Sequence, residues 1–264
     1  MLKTITVGDS ELSLQSIEQK MSDKRLVLVL NKADLVPREN LQAWVRHLRH
    51  EFPTIAFKAS TQNSGRLGQA KIDLKAVDGE ITTSKCVGAD TLLNLLGNYC
   101  RNKDVKTSIR VGVVGLPNVG KSSLINSLKR SRACPTGSTP GVTKAMQEVQ
   151  LDSKIKLLDC PGMVLASGNM TDASVALRNA IKVESLADPI TPVVAIMGRV
   201  PREHLMLQYG IGNFIDASEF LAKLAISLGK LRKGGVPDRE TAARMVSGFG
   251  SYAQYLHDFS SGAW

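Results

Sequence analysis

Arg25-Leu-Val-Leu-Val-Leu30 holds no polar position after its first residue, the pattern of a strand buried on both faces. Over residues 38–51, Leu41, Trp44, Val45 and Leu48 recur at helical spacing, which makes Trp44 a core anchor of an amphipathic helix. Ile55-Ala-Phe-Lys-Ala59 predicts a second short strand. Residues 61–89 are polar and glycine-containing without periodicity, the mark of a mobile insertion. Leu92, Leu93, Leu95, Leu96 and Tyr99 then predict a helix, Ile109 to Val114 a buried strand, and Ser122 to Lys129 the helix after it. Met146–Leu151 and Ile155–Leu158 flank Asp152-Ser153-Lys154 as an antiparallel hairpin. Beyond residue 170 only helical patterns remain, at 172–186, 192–199, 202–209, 217–232 and 238–247, most of them opened by Pro189, Pro192, Pro201 or Pro237. The expected organisation is an α/β domain over residues 1–188 and a small, basic, all-helical domain over 189–264. No internal repeat interrupts it.

Composition narrows the partners. The chain has 264 residues, of which 43% are hydrophobic, enough for one substantial core and an appendage. Its 34 Lys and Arg against 24 Asp and Glu give a net charge of +10. Two readings of that charge stay open: polyanionic partners, RNA first among them, or simple protection from self-association. Aromatics are 5%, which argues against a base-stacking platform for single strands. Cys86, Cys100, Cys134 and Cys160 follow neither metal-ligand nor disulfide spacing and read as reduced thiols. No apolar run approaches the roughly 20 residues that span a bilayer, and the first residues lack a signal-peptide pattern, so a soluble intracellular protein is expected.

The chemistry lies in loops at the strand ends. Gly115-Leu116-Pro117-Asn118-Val119-Gly120-Lys121-Ser122-Ser123 follows one strand and opens a helix. Gly115 and Gly120 let backbone N–H groups wrap phosphate oxygens. Lys121 reaches the β- and γ-phosphates, the Ser122 hydroxyl ligates Mg2+, and the helix adds its positive end. Asn31-Lys32-Ala33-Asp34 closes the Arg25–Leu30 strand, where ligands sit in open α/β sheets. The Asp34 carboxylate can accept from the ring N–H and exocyclic amine of guanine; adenine offers no such pair. The Lys32 stem can cover the base, and Lys58-Ala59-Ser60 can supply a backbone N–H to the guanine carbonyl oxygen. In Asp159-Cys160-Pro161-Gly162, Asp159 can hold Mg2+ through water and the Gly162 amide can bond the γ-phosphate. Thr143, in Thr139-Pro-Gly-Val-Thr143, is placed to complete Mg2+ coordination when that phosphate is present. Lys121, Thr143 and Gly162 are therefore the candidate catalytic residues, and Ser122, Thr143 and Asp159 the candidate metal ligands. In ordinary small GTPases the phosphate loop precedes the guanine motif. Their reversal here predicts a circularly permuted P-loop GTPase domain, a mostly parallel sheet flanked by helices, followed by the small helical domain.

The sequence resembles the circularly permuted GTPases of large-subunit ribosome assembly, most closely the nucleostemin family. Leu28-Val-Leu-Asn-Lys-Ala-Asp-Leu-Val-Pro37, Phe57-Lys-Ala-Ser-Thr61, Gly115–Ser123, Leu157-Leu-Asp-Cys-Pro-Gly162 and Gly229-Lys-Leu-Arg-Lys-Gly-Gly-Val-Pro-Asp238 carry the resemblance across roughly residues 24–246. It implies a nuclear or nucleolar protein that binds GTP or GDP with Mg2+ and acts on pre-ribosomal RNA, particles and their assembly factors. Lys230, Arg232 and Lys233 would contact rRNA phosphates; a solvated helix end with favourable C-terminal charge is the equal alternative.

Two residues bear on turnover. Met163 stands where many signalling GTPases carry a water-orienting glutamine, so hydrolysis is expected to be slow without help. Asn118 resembles the asparagine that ligates K+ in related GTPases, which implies potassium activation. The family's basic arm, and the strand ending in Asp-Ala-Arg, have no counterpart except Lys3-Thr-Ile-Thr-Val7, and residues 247–264 leave the family pattern. Three readings follow: a hydrolysing switch, a GTP-gated binding module with incidental hydrolysis, and a truncated product with impaired folding.

Overall fold

The computed structural model describes residues 2–7, 25–62, 67–70, 83–101, 108–137, 141–163, 186–198 and 200–247. The chain divides into two compact units, residues 1–165 and 166–264, a division ahead of the 188/189 boundary expected from the helical patterns.

The first unit is built on a six-stranded sheet: β1 (Leu2–Val7), β2 (Arg25–Leu30), β3 (Thr54–Ala56), β4 (Ile109–Gly115), β5 (Gln147–Gln150) and β6 (Ile155–Asp159). Their spatial order is β3-β2-β1-β4-β6-β5. The first five run parallel, and β5 closes the edge antiparallel to β6 as the hairpin pattern predicts. Val27, Leu28 and Val29 of β2 are buried in succession, so the uninterrupted apolar run does face protein on both sides. On the edge strand β5 only Val149 is buried. β1 lies between the two strands that carry the sequence motifs, and Val7 is opposite both Val29 and Gly115. Lys3-Thr-Ile-Thr-Val7 thus pairs with both of those strands, and the sheet is continuous between them.

Helices α1 (Arg38–Leu48), α2 (Ala89–Cys100) and α3 (Lys121–Lys129) accompany the sheet. Leu92, Leu96 and Cys100 of α2 and Leu124, Ile125 and Leu128 of α3 join Val111, Val113, Leu157 and Phe57 in the main core. Each such leucine, isoleucine, valine or phenylalanine contributes about 1.5–3 kcal/mol on burial. Trp44 is not among these anchors. It is half-buried on α1, edge-on to His47 with ring centroids 5.9 Å apart, while Leu41 takes the buried position. Of the predicted insertion, residues 63–66 and 71–82 lie outside the described residues. Its described ends are docked: Leu67, Cys86 and Val87 are buried, and Lys58 and Val87 exchange both backbone hydrogen bonds at 3.0 Å.

The second unit holds α4 (Ile190–Met197), α5 (Arg202–Tyr209), α6 (Ala217–Ser227) and α7 (239–247). Phe220 sits at its centre, 5.0 Å from Phe214 and 5.7 Å from Tyr209 between ring centroids. Asp216 caps α6 by accepting from the Glu219 N–H at 2.7 Å. The helix expected over 217–232 stops at Ser227. Gly229 turns left-handed at φ 65°, and the chain folds back so that the Asp238 N–H reaches the Lys230 carbonyl at 2.9 Å. The helix expected over 172–186 lies almost wholly outside the described residues. No helix among the described residues is long and apolar enough to cross a membrane.

Candidate nucleotide-binding site

Parallel strands bring the motif loops to one edge of the sheet. β2, β3, β4 and β6 all end there, at Leu30, Ala56, Gly115 and Asp159, and the in-plane register keeps those ends within about two residues of one level.

The loop after β4 is held in a narrow conformation. Gly115 and Gly120 have φ 152° and 96°, and Asn118 adopts φ 59°, a left-handed value that a non-glycine residue rarely takes. Gly120 caps α3 without a side-chain acceptor, which leaves the first-turn N–H groups facing outward for a ligand. The Lys121 ammonium sits within the loop and donates to the Leu116 and Gly115 carbonyls at 2.7 and 3.1 Å. Burial lowers its pKa below the usual lysine value, with the neighbouring Asp159 charge pulling the other way.

Ser122, Thr143 and Asp159, nominated separately as metal ligands, meet. The Ser122 hydroxyl donates to Asp159 Oδ2 at 2.7 Å and lies 3.1 Å from Thr143 Oγ1. Asp159 is fully buried and its second oxygen, Oδ1, has no hydrogen-bond partner. A buried carboxylate oxygen without a donor is costly unless a cation satisfies it, and two hydroxyls beside a carboxylate form an all-oxygen donor set suited to Mg2+. The residues fit that ion. Cys160, next in sequence, has its thiol pKa raised by burial and by Asp159. Gly162 packs so closely on the phosphate loop that a Cβ there would lie 2.8 Å from the backbone of Pro117. The Met163 N–H donates to the Gly115 carbonyl at 3.2 Å, so Asp159-Cys160-Pro161-Gly162 and the phosphate loop are tied together.

The guanine motif is joined to the same loop. Asn31 Nδ2 donates to the Val119 carbonyl at 2.9 Å, and Asn31 Oδ1 accepts from the Ala59 N–H at 3.3 Å. One side chain therefore connects three loops that lie far apart in sequence. Lys32 is left-handed at φ 58°, and its pKa is lowered chiefly by burial, against the pull of Asp34. A backbone donor from Lys58-Ala59-Ser60 was expected for the base. All three N–H groups are already engaged: Lys58 with the Val87 carbonyl, Ala59 with Asn31, and Ser60 with Ser127 Oγ at 2.9 Å. The contact that sequence reasoning missed is the Lys58 side chain, whose ammonium lies 2.7 Å from Asp34 Oδ2. Ser127 was missed as well. It is fully buried and donates onward to the Ser123 carbonyl at 2.7 Å; a serine on the apolar face of α3 was its only trace.

The basic residues of the second unit sit on the fold-back turn after α6, not on a helix end. Lys230 and Lys233 are exposed, whereas the Arg232 guanidinium is engaged by Asp238 at 3.1 Å and Glu240 at 3.3 Å.

Residues 110–216 match the family model described as 50S ribosome-binding GTPase. The chain is 55% identical over 239 residues to guanine nucleotide-binding protein-like 3 homolog of Caenorhabditis elegans, covering 88% of this chain and 42% of that protein. It is 50% identical to guanine nucleotide-binding protein-like 3-like protein of Bos taurus (88% and 40% covered) and 37% identical to nucleolar GTP-binding protein 2 of Schizosaccharomyces pombe (93% and 40%). The chain thus spans about two fifths of the length of these curated relatives. Among solved structures it shares its fold with YlqF of T. maritima. The GNP-bound form superposes with a TM-score of 0.55 at 24% identity, covering 94% of this chain and 88% of that one. A GDP-bound form gives 0.54 at 22%, covering 97% and 92%. With a guanine motif on β2, a phosphate loop on β4 and these relatives, the chain belongs to the circularly permuted GTPases of the guanine nucleotide-binding protein-like 3, or nucleostemin, family.

Proposed function

We propose that this chain binds GTP across the loops after β2, β3, β4 and β6, hydrolyses it slowly, and uses the difference between GTP and GDP as a switch in assembly of the large ribosomal subunit. The observation that carries this reading is the convergence of Ser122, Thr143 and Asp159 beside the Lys121 loop, which Asn31 ties to the guanine motif. In this reading Asp34 selects guanine through paired N–H donors, and Lys32 covers the base. Lys121 and the N–H groups of the phosphate loop hold the phosphates, and Ser122, Thr143 and Asp159 hold Mg2+. When bound, that ion neutralises charge on the β- and γ-phosphate oxygens. The Gly162 amide and Thr143 are the groups that read the γ-phosphate. Both belong to segments already in contact with the phosphate loop or its serine, so loss of the γ-phosphate is sensed by those segments.

Met163 is half-exposed and apolar, and it offers nothing to orient an attacking water, which supports slow intrinsic turnover. It equally favours a second reading, in which GTP gates binding and hydrolysis is incidental. Asn118, which resembles the asparagine that ligates K+ in related GTPases, is the proposed ligand of an activating K+ ion. Lys230, Lys233 and, once released from its carboxylates, Arg232 are the proposed rRNA contacts. Nucleolar residence is supported by the similarity to nucleolar GTP-binding protein 2 of S. pombe.

Titrating labelled GTP, GDP and ATP onto the purified chain tests the binding; equal affinity for ATP refutes it. Multiple-turnover phosphate release with and without pre-ribosomal particles separates the two readings, since a hydrolysing switch is stimulated and a binding module is not. Single-turnover rates equal in Na+ and K+ remove the potassium proposal.

A further inference from the structure

Lys58 is buried, and its ammonium meets the carboxylate of Asp34, the residue assigned to the guanine edge. A lysine is rarely buried unless its charge is paired, so this side chain does not point inward for packing alone. Its backbone is held on both sides: the N–H donates to the Val87 carbonyl and the carbonyl accepts from the Val87 N–H, each at 3.0 Å. The ammonium therefore comes from a fixed base. Asp34 sits in the single 3-10 turn Ala33–Leu35, entered through the left-handed Lys32, and its side chain is 22% exposed. A carboxylate on so short a turn has no helix or strand to fix its rotamer.

We propose that Lys58 is a positioning residue for nucleotide specificity: its ammonium holds the Asp34 carboxylate in the orientation that accepts two parallel N–H donors from guanine. This inference rests on the guanine-nucleotide reading above. A carboxylate offers about four lone-pair sites. Lys58 occupies one, at Oδ2, which leaves Oδ1 and the rest of Oδ2 for the ring N–H and the exocyclic amine. Fixing the acceptor before the base arrives lowers the ordering cost of the pair. That cost falls most heavily on the second, orientation-dependent bond. Inosine nucleotides keep the ring N–H but lack the amine, so the preference for GTP over ITP isolates this second bond. The phosphate loop contributes equally to both nucleotides.

The experiment measures dissociation constants for GTP and ITP on the full chain and on K58M, which keeps the length and apolar stem of the side chain, and K58R, which restores the charge. K58M is expected to lower the GTP-over-ITP preference about tenfold, the scale of one hydrogen bond to a charged group, with K58R recovering part of it. A folded K58M whose two affinities fall in equal proportion, with the preference unchanged, overturns the proposal and leaves Lys58 a packing residue. If the unsubstituted chain does not prefer GTP over ATP, it is the guanine-nucleotide reading that fails. Should K58M not fold, lysine-selective 15N NMR of the unsubstituted chain decides. The Lys58 ammonium signal is expected to move more on adding GDP than on adding IDP, and an identical response to both overturns the proposal.

Discussion

Replacing Gly120 with alanine tests whether Asn31 joins the guanine motif to the phosphate loop. A Cβ at position 120 would fall inside the contact radius of Asn31 Nδ2, so the amide must retreat by about 1 Å to reach an ordinary separation. That retreat breaks the 2.9 Å bond to the Val119 carbonyl and, because the same amide carries both atoms, the 3.3 Å bond from the Ala59 N–H. Each is worth about 1 kcal/mol. Alanine at φ 96° adds about 1 kcal/mol of backbone strain. G120A should therefore destabilise the first unit by about 3 kcal/mol, and N31A, which loses only the two bonds, by about 2 kcal/mol. In the double variant the clashing atom is gone. Only the strain remains to be added to the N31A loss, and the double variant should match G120A alone. The coupling between the two sites is then about 2 kcal/mol. Urea unfolding followed by fluorescence measures it, in a W264F background that leaves Trp44 as the remaining tryptophan. Effects that add to within about 0.5 kcal/mol would refute the reasoning, because residues that share no atom contact are additive on that scale.

Three further outcomes are expected. D159N removes a buried negative charge whose Oδ1 has no donor, so without nucleotide the thermal midpoint should hold or rise, while GTP binding loses its response to Mg2+; a lower midpoint with Mg2+ dependence intact contradicts the metal assignment. Lys121 has a folded pKa below 10.5 because of burial, so in the alkaline range just under that value the unfolded chain binds more protons and this group's contribution to stability rises with pH. Phosphates beside it restore its charge, so GDP binding in that range should take up protons that are not taken up near neutrality or by K121A. Calorimetry in buffers of different ionisation enthalpy measures the difference. L92A, which empties a fully buried site in the main core, should cost about 3 kcal/mol in unfolding free energy without altering the preference for GTP over ATP.

The motifs were legible because their chemistry is carried by backbone spacing and by a few obligatory side chains. Gly115, Gly120 and Lys121 imply a phosphate loop wherever a strand precedes them and a helix follows. The order of that loop and Asn31–Asp34 fixed the permuted topology without coordinates. Features set by tertiary neighbours were less legible. Leu228 and Leu231 prolong the helical rhythm of α6, and nothing local says that Gly229 takes a left-handed turn and moves the basic residues onto a fold-back. Trp44 obeys the same rhythm as Leu41, yet on α1 only Leu41 is buried, and it is Leu48 that packs against the cluster of Leu28 on β2. β1 shows a β-branched pattern, but its second partner, β4, lies far along the chain, so its central place follows from pairing and not from its own residues. The Lys58–Asp34 pair was invisible for the same reason: a lysine on a strand end reads as solvated until the coordinates bury it.

That central place has a kinetic consequence. Leu2 aligns with Arg110, so the sheet cannot close until more than a hundred intervening residues are available, and parallel pairing over such separations is slow. During synthesis β1 waits beside β2 for a neighbour still to be translated. One flank of β1 then exposes unpaired amides and carbonyls to any extended segment nearby. Nascent chains of this architecture are thus most exposed to mispairing in the interval before β4 emerges, and an occupant of that bare edge would guard the domain when it most needs guarding.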